Sequence, residues 1–173
     1  MKNKDKKIYL ILLRYIILLA LVAFSLPLIY AIFTPLTISL TAFILDLFYD
    51  IITNKELILI NQTTFVYIVN ACVAGSAYLL LLILNLTIDM NYKVRIKSIL
   101  YSFILLFFIN IVRIAILAGL YHNQVPYVDF THAIFWYGLS TFFVIAIWFL
   151  TVSMFKIKKI PFYSDYQSLV NNN

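Results

Sequence analysis

A single cysteine, two histidines and an arginine deep inside an apolar run are the residues of this chain that could do covalent chemistry. Cys72 stands in VNACVAGSAY (69–78), Arg113 in FFINIVRIAILAGL (107–120) and His132 in VDFTHAIFWYGLS (128–140). A thiolate is the nucleophile of acyl transfer, and a nearby cation favours it. An imidazole takes the thiol proton and later returns one to a leaving amine. Arginine stays protonated and cannot act as a base. It can instead hold the thiolate, bind the oxyanion of a tetrahedral intermediate or grip a substrate carbonyl. One cysteine and two histidines without local ligand spacing do not make a zinc site, so no metal or other cofactor is expected.

Each residue also has a plainer reading. Arg113 could snorkel to headgroups, although an arginine at mid-helix in a membrane costs about 2.5–3.5 kcal/mol without a partner or a wet pocket. Asn110, three residues earlier, shares its helical face and is a supporting candidate. His132 could be an interfacial histidine among belt aromatics such as Trp136 and Tyr137. Asp129, three residues before it, could cap the helix or accept from the ring. Tyr121 and His122 read as solvated loop residues, and Asn85 and Thr87 as helix-end contacts.

The elements that carry these residues must use lipid as solvent. The chain has 173 residues, 64% of them hydrophobic and 12% charged, too few charges for the surface of a soluble globule. Its net charge of +6 and pI near 9.4 would suggest nucleic acid in a soluble protein. Here they reflect basic residues retained on the cytoplasmic side, and no nucleic-acid partner is expected. Four stretches are long enough for a hydrocarbon core that takes about 20 helical residues: Ile8–Phe33, Val69–Ile88, Ser98–Leu120 and Phe130–Phe155. Leu36–Ile52 is shorter and carries Asp46 and Asp50 four residues apart, which predicts a helix lying in the interface. ELILINQTTFVYIV (56–69) is rich in β-branched and aromatic residues and predicts a short external hairpin running into Cys72. The expected fold is thus an all-α integral membrane protein in one domain, 1–173. It has about four transmembrane helices, an interfacial helix and a hairpin.

Basic clusters orient it. Lys2, Lys4, Lys6 and Lys7 form a basic tail, 1–7, before the first span. Lys93, Arg95 and Lys97 fill the loop between the second and third spans, and Lys156, Lys158 and Lys159 follow the fourth. The positive-inside rule then places both termini in the cytoplasm and segments 34–68 and 121–129 outside. The polar tail 160–173 reads as disordered. In this arrangement Cys72, Arg113 and His132 fall at similar depth near the outer ends of three different helices. Gly75, Gly119 and Gly138 each lie within about two turns of one of them, where small residues would allow close helix packing.

At these residues the chain resembles the exosortase/archaeosortase family, from the hairpin to the last span (56–155). NACVAGSAY is similar to that family's cysteine motif, NIVRI to its Asn-x-x-Arg motif and THAIFWYG to its histidine block, and the order Cys, Arg, His is the same. The wording of the motifs looks like the small archaeal branch. The resemblance implies a multi-pass cysteine protease or transpeptidase of the cell membrane, with Cys72 as nucleophile, Arg113 in the conserved arginine's role and His132 as base. It further implies an active site on the outer face. The partners would be secreted surface proteins with a C-terminal sorting signal: a short motif, a transmembrane helix and a basic cluster. A thioester on Cys72 would pass to an amine, such as one on a lipid headgroup, or to water. Two departures are visible. Many members have Cys-Ser-Gly where this chain has CVAG, so a hydroxyl is missing that Ser76 replaces only in part. Larger members also have additional N-terminal spans. The reading opposed to an enzyme is a small membrane scaffold or transporter subunit with a polar Arg/His path.

Overall fold

The computed structural model describes residues 2–88 and 90–157, and within these the side chains of Arg14, Asp129, Trp136 and Tyr137, among others, lie outside the described residues. The expected tail 160–173 also lies outside them. Helix α1 (Lys2–Asp46) is followed by three short strands, β1 (Ile51–Asn54), β2 (Leu57–Ile60) and β3 (Thr64–Tyr67). A 3-10 turn, Asn70–Val73, leads into α2 (Gly75–Thr87), and α3 (Tyr92–His122) returns along it. Helix α4 (Val128–Ala133) passes through a π-helical turn, Ile134–Leu139, into α5 (Ser140–Met154).

Polarity is arranged for lipid. On α3, Ile96, Leu100, Ile104, Phe108, Val112 and Ile116 recur every fourth residue and are all exposed. The opposite face buries Ser98, Ser102, Asn110 and Arg113. A water-soluble helix would show the reverse. Among the described residues three helical stretches are long and apolar enough to cross a membrane, Phe24–Asp46, Asn70–Thr87 and Tyr92–His122, while the apolar Ser140–Met154 is shorter. The chain is therefore a mostly helical membrane protein.

One expectation about its first third needs correction. Leu36–Asp46 is not a separate interfacial helix but the continuation of α1, which carries Pro27 and Pro35 inside it. Each proline removes one helical hydrogen bond, and membrane helices tolerate this where neighbours pack around them. The packing is visible: Ile29, Thr37, Thr41, Ala42 and Leu45 are buried, whereas the described side chains Tyr9, Leu13, Ile16 and Leu19 are exposed. Among the described side chains of α1, the buried ones thus all lie between Phe24 and Asp46. Residues 2–7 form the first turns of the same helix. The interfacial segment's last two residues, Ile51 and Ile52, belong instead to β1.

The hairpin expected over 56–69 is present as β2 and β3, with Ile60 opposite Thr64 and three residues in the turn. β1 adds a third antiparallel strand on its other side. Strand alternation buries Ile58 and Ile60 completely. With Ile68 they pack on Ala42 and Leu45 of α1 and on Ile114 and Ala118 of α3, so the sheet lies against one end of the bundle. A second core inside the bundle joins Ile29, Tyr78, Leu81, Leu106, Val144 and Ile147. Phe33 stacks on Tyr78 there with ring centroids 4.4 Å apart.

His122, expected in a loop, is instead the last residue of α3, is half-buried and holds the sheet to that helix. Asn61 Oδ1 accepts from Asp50 N–H at 2.9 Å, which leaves its amide Nδ2 to donate to His122 Nε2 at 3.1 Å. Nδ1–H of the neutral ring then donates to Thr64 Oγ1 at 2.9 Å. Tyr49 meets the ring edge-on. At the other end of the bundle Asn85 and Thr87 are helix-end contacts as expected, with Asn85 accepting from Ser98 of α3.

Of the three glycines only Gly75 marks a close approach. A Cβ there would stand 2.6 Å from the Tyr30 ring, whereas Gly119 is in ordinary contact range of Tyr49 and Gly138 has nothing within 4 Å. Gly138 is therefore not a packing point. Gly75→Ala should lower stability by about 1–3 kcal/mol, the usual range for overpacking. Thermal melts in detergent should show Tyr30→Ala recovering part of that loss, a non-additive pair. Strictly additive losses would mean that the ring is not the obstacle.

Candidate functional site

The site is built where the sheet meets the bundle. Ile68, buried at the end of β3, directs the chain into the 3-10 turn that carries Cys72, closed by Cys72 N–H to Val69 C=O at 2.8 Å. Cys72 thus precedes α2 and is not part of it. Ala74 ends the turn at φ 60°, ψ 39°, a left-handed conformation that costs a non-glycine residue about 1–2 kcal/mol. That turn redirects the chain so that α2 starts afresh at Gly75.

Helix α3 contributes two donors from one face. Asn110 Nδ2 donates to the Cys72 backbone carbonyl at 2.7 Å, and Arg113 Nη2 reaches the same oxygen at 3.5 Å. The Asn-x-x-Arg spacing therefore has a local physical meaning: residues three apart on a helix can grip one carbonyl. Arg113 Nη1 donates to Ser140 Oγ at 2.8 Å, and Ser140 in turn donates to Phe135 C=O at 2.8 Å. Arg113 is buried, and its Nε has no hydrogen-bond partner among the described residues.

The π-helical turn explains how Ser140 and His132 serve the same place. Eight residues apart on a regular helix, they would differ by about 80° around the axis. The wider turn between them reduces that angle, and the Ser140 hydroxyl donates back to the Phe135 carbonyl within it. Such insertions are frequent at functional sites.

Cys72, Arg113 and His132 line one cavity of about 300 Å³, together with Phe65 and Tyr67 of β3 and Tyr121 at the end of α3. The wall is mixed, with apolar neighbours such as Ile114, Leu117 and Phe135. His132 is exposed toward it and Cys72 partly so. A second, more polar hollow adjoins, sharing Phe65, Tyr121 and Val128 and adding Thr64, His122 and Gln124. The arrangement brings a thiol, an imidazole and a buried guanidinium from three elements to one space. Asn110 supports Cys72 from behind rather than facing the cavity.

Other expected site residues are placed less centrally. Gly75 lies against Tyr30 and Ser76 is exposed on α2, neither lining the cavity. Val73, where a hydroxyl is missing from the resembling motif, is fully buried. The hydroxyl near the site comes from Ser140, which sequence reasoning missed. Asp129 lies on α4, but its side chain is outside the described residues. Among the described residues no three His, Cys, Asp or Glu side chains gather as metal ligands would. Compared with models of protein families, with curated proteins and with solved structures, the chain matches none.

Proposed function

We propose that this chain is a membrane-embedded cysteine peptidase or transpeptidase that cuts the C-terminal sorting signal from secreted surface proteins. The observation that carries the reading is the meeting of Cys72, Arg113 and His132, distant in sequence, in one partly apolar cavity. A scaffold needs no such convergence, and a transporter path would run through the bundle, not stop at one end of it.

In this reading His132 takes the thiol proton and the Cys72 thiolate attacks the scissile carbonyl. A carbon–sulfur bond forms as the carbonyl electrons move onto oxygen, where the positive charge of Arg113, which lines the cavity, stabilises it. The tetrahedral intermediate collapses, the carbon–nitrogen bond breaks, and His132 protonates the leaving amine. The resulting thioester is attacked by an amine, such as that of a lipid headgroup, or by water. His132 accepts the proton of that nucleophile, the carbon–sulfur bond breaks and the thiolate returns. Asn110 and Ser140 are positioning residues, one holding the Cys72 carbonyl and the other the guanidinium.

The substrate class rests on the family resemblance: a short motif, one hydrophobic helix and a basic cluster. The test is to recover the chain from cells that also make a protein with such a tail. An acyl adduct on Cys72 that hydroxylamine removes, found by mass, supports the thioester. Tail removal with no adduct at any time of sampling and no dependence on Cys72 refutes it.

The same reading sets the topology, with four spans, α4 to α5 making the fourth, both termini cytoplasmic and Cys72 outside. Cys72 is the sole cysteine, so an impermeant maleimide should label intact cells at that residue alone. On a Cys72→Ala background, Lys93→Cys should label only after the membrane is breached. Equal labelling of Lys93→Cys from outside would invert the orientation.

A further inference from the structure

The sheet order makes β3 an edge strand. In an antiparallel ladder, alternate residues turn both backbone groups toward the same neighbour. The bond from Ile68 N–H to Glu56 C=O, at 2.9 Å, marks Ile68 as facing β2. With Val66 opposite Ile58 and Thr64 opposite Ile60, these two residues face β2 as well. Phe65 and Tyr67 therefore turn their N–H and C=O groups away from the sheet, and no described residue is bonded to these four groups. Both residues line the cavity that holds Cys72, Arg113 and His132. Phe65 also lines the adjoining polar hollow, so the uncovered edge runs from that hollow to the thiol.

We propose that this edge is the substrate cleft: an extended peptide segment pairs with β3 as a fourth strand and so delivers its scissile carbonyl to Cys72. The proposal rests on the peptidase reading and adds how the substrate is held. The free groups repeat every second residue, about 6.8 Å along the strand. Their complement is another extended backbone, in which donors and acceptors alternate at the same interval. Main-chain pairing would hold the peptide irrespective of sequence. The exposed Phe65 and Tyr67 side chains stand beside its alternate residues and are placed to select among them. Ordinary proteins cover or charge such edges; here the edge strand reads TFVY, without a charge, beside the reactive groups.

The probe is acetyl-tetra-alanyl chloromethyl ketone, which alkylates a thiol and carries a backbone with almost no side chain. It is used on the detergent-solubilised full chain, and its rate is divided by that of iodoacetamide on the same protein. The two probes share a target, so the ratio isolates the contribution of the peptide. Single N-methyl groups are then placed along the probe. Methylation at residues of one parity should slow alkylation about tenfold, as expected for one lost hydrogen bond, and methylation at the other parity should change it little. Tyr67→Pro removes an edge-facing N–H without touching the bonds to β2, and should reduce the ratio for the parent probe similarly. Tyr67→Ala keeps that N–H and should retain the alternation. Equal rates for all N-methyl probes on the wild-type chain overturn the cleft while leaving the reactive thiol in place. Failure of iodoacetamide and every peptide probe to modify Cys72 counts against the peptidase reading itself, and the cleft falls with it.

Discussion

Replacing Cys72 by alanine should abolish the proposed tail removal, with a loss of more than about 10³-fold, while the chain accumulates normally in the membrane. Removing a nucleophile that forms a covalent intermediate eliminates the route through it, leaving only the weak catalysis of the surrounding groups. Normal accumulation is expected because the fold holds Cys72 through its backbone. Its carbonyl accepts from Asn110 and Arg113, and its N–H donates to Val69, and none of these bonds needs the sulfur. Cys72→Ser keeps the size and a hydrogen-bonding atom but replaces thiol by a far less acidic hydroxyl, and should be nearly as inactive. The measurement is the mobility of a co-expressed substrate on gels over time, alongside chain abundance. Processing by Cys72→Ala at the wild-type rate would end the thiol-peptidase reading.

Arg113 separates an enzyme from a scaffold most sharply. The guanidinium spans two partners at once, the Ser140 hydroxyl and the Cys72 carbonyl, and the residue lines the cavity. Lysine carries the same charge on a tetrahedral head and cannot reproduce a planar fork. Arg113→Lys should therefore insert nearly normally yet lose about 10²–10³ in processing rate, the usual cost of one oxyanion donor. Arg113→Gln should lose at least as much while inserting more easily, since it removes a buried charge. Ser140→Ala should lose about 10–100-fold, the scale of a hydrogen bond to a charged group. Wild-type processing in both Arg113 variants would remove the guanidinium from the chemistry.

Much of this was legible in the linear chain, for reasons of cost. An arginine in a lipid-spanning helix is too expensive to be idle, so Arg113 announces a partner or a pocket before any neighbour is known. Cys72, as the sole thiol, and His132, at a helix start, could be ranked by chemistry and depth. The β-branched run over 56–69 disclosed its hairpin because alternation is a local property of a strand. Partnership is not local. Nothing in VDFTHAIFWYGLS tells that the helix widens after Ala133, or that Ser140 then stands under the guanidinium. A serine in an apolar span has many uses until a neighbour is known. His122 looked solvated because its partners, Asn61 and Thr64, lie 61 and 58 residues away. The short length of Leu36–Ile52 and its paired Asp46 and Asp50 suggested a separate interfacial helix. Packing of Ala42 and Leu45 against the sheet and α3 outweighed that local signal and carried the helix to Asp46. Residue types, apolar lengths and periods could therefore be read from covalent order. Whether the thiol, imidazole and guanidinium share a space depended on how helices pack side by side, a matter of contacts between residues that sequence keeps far apart.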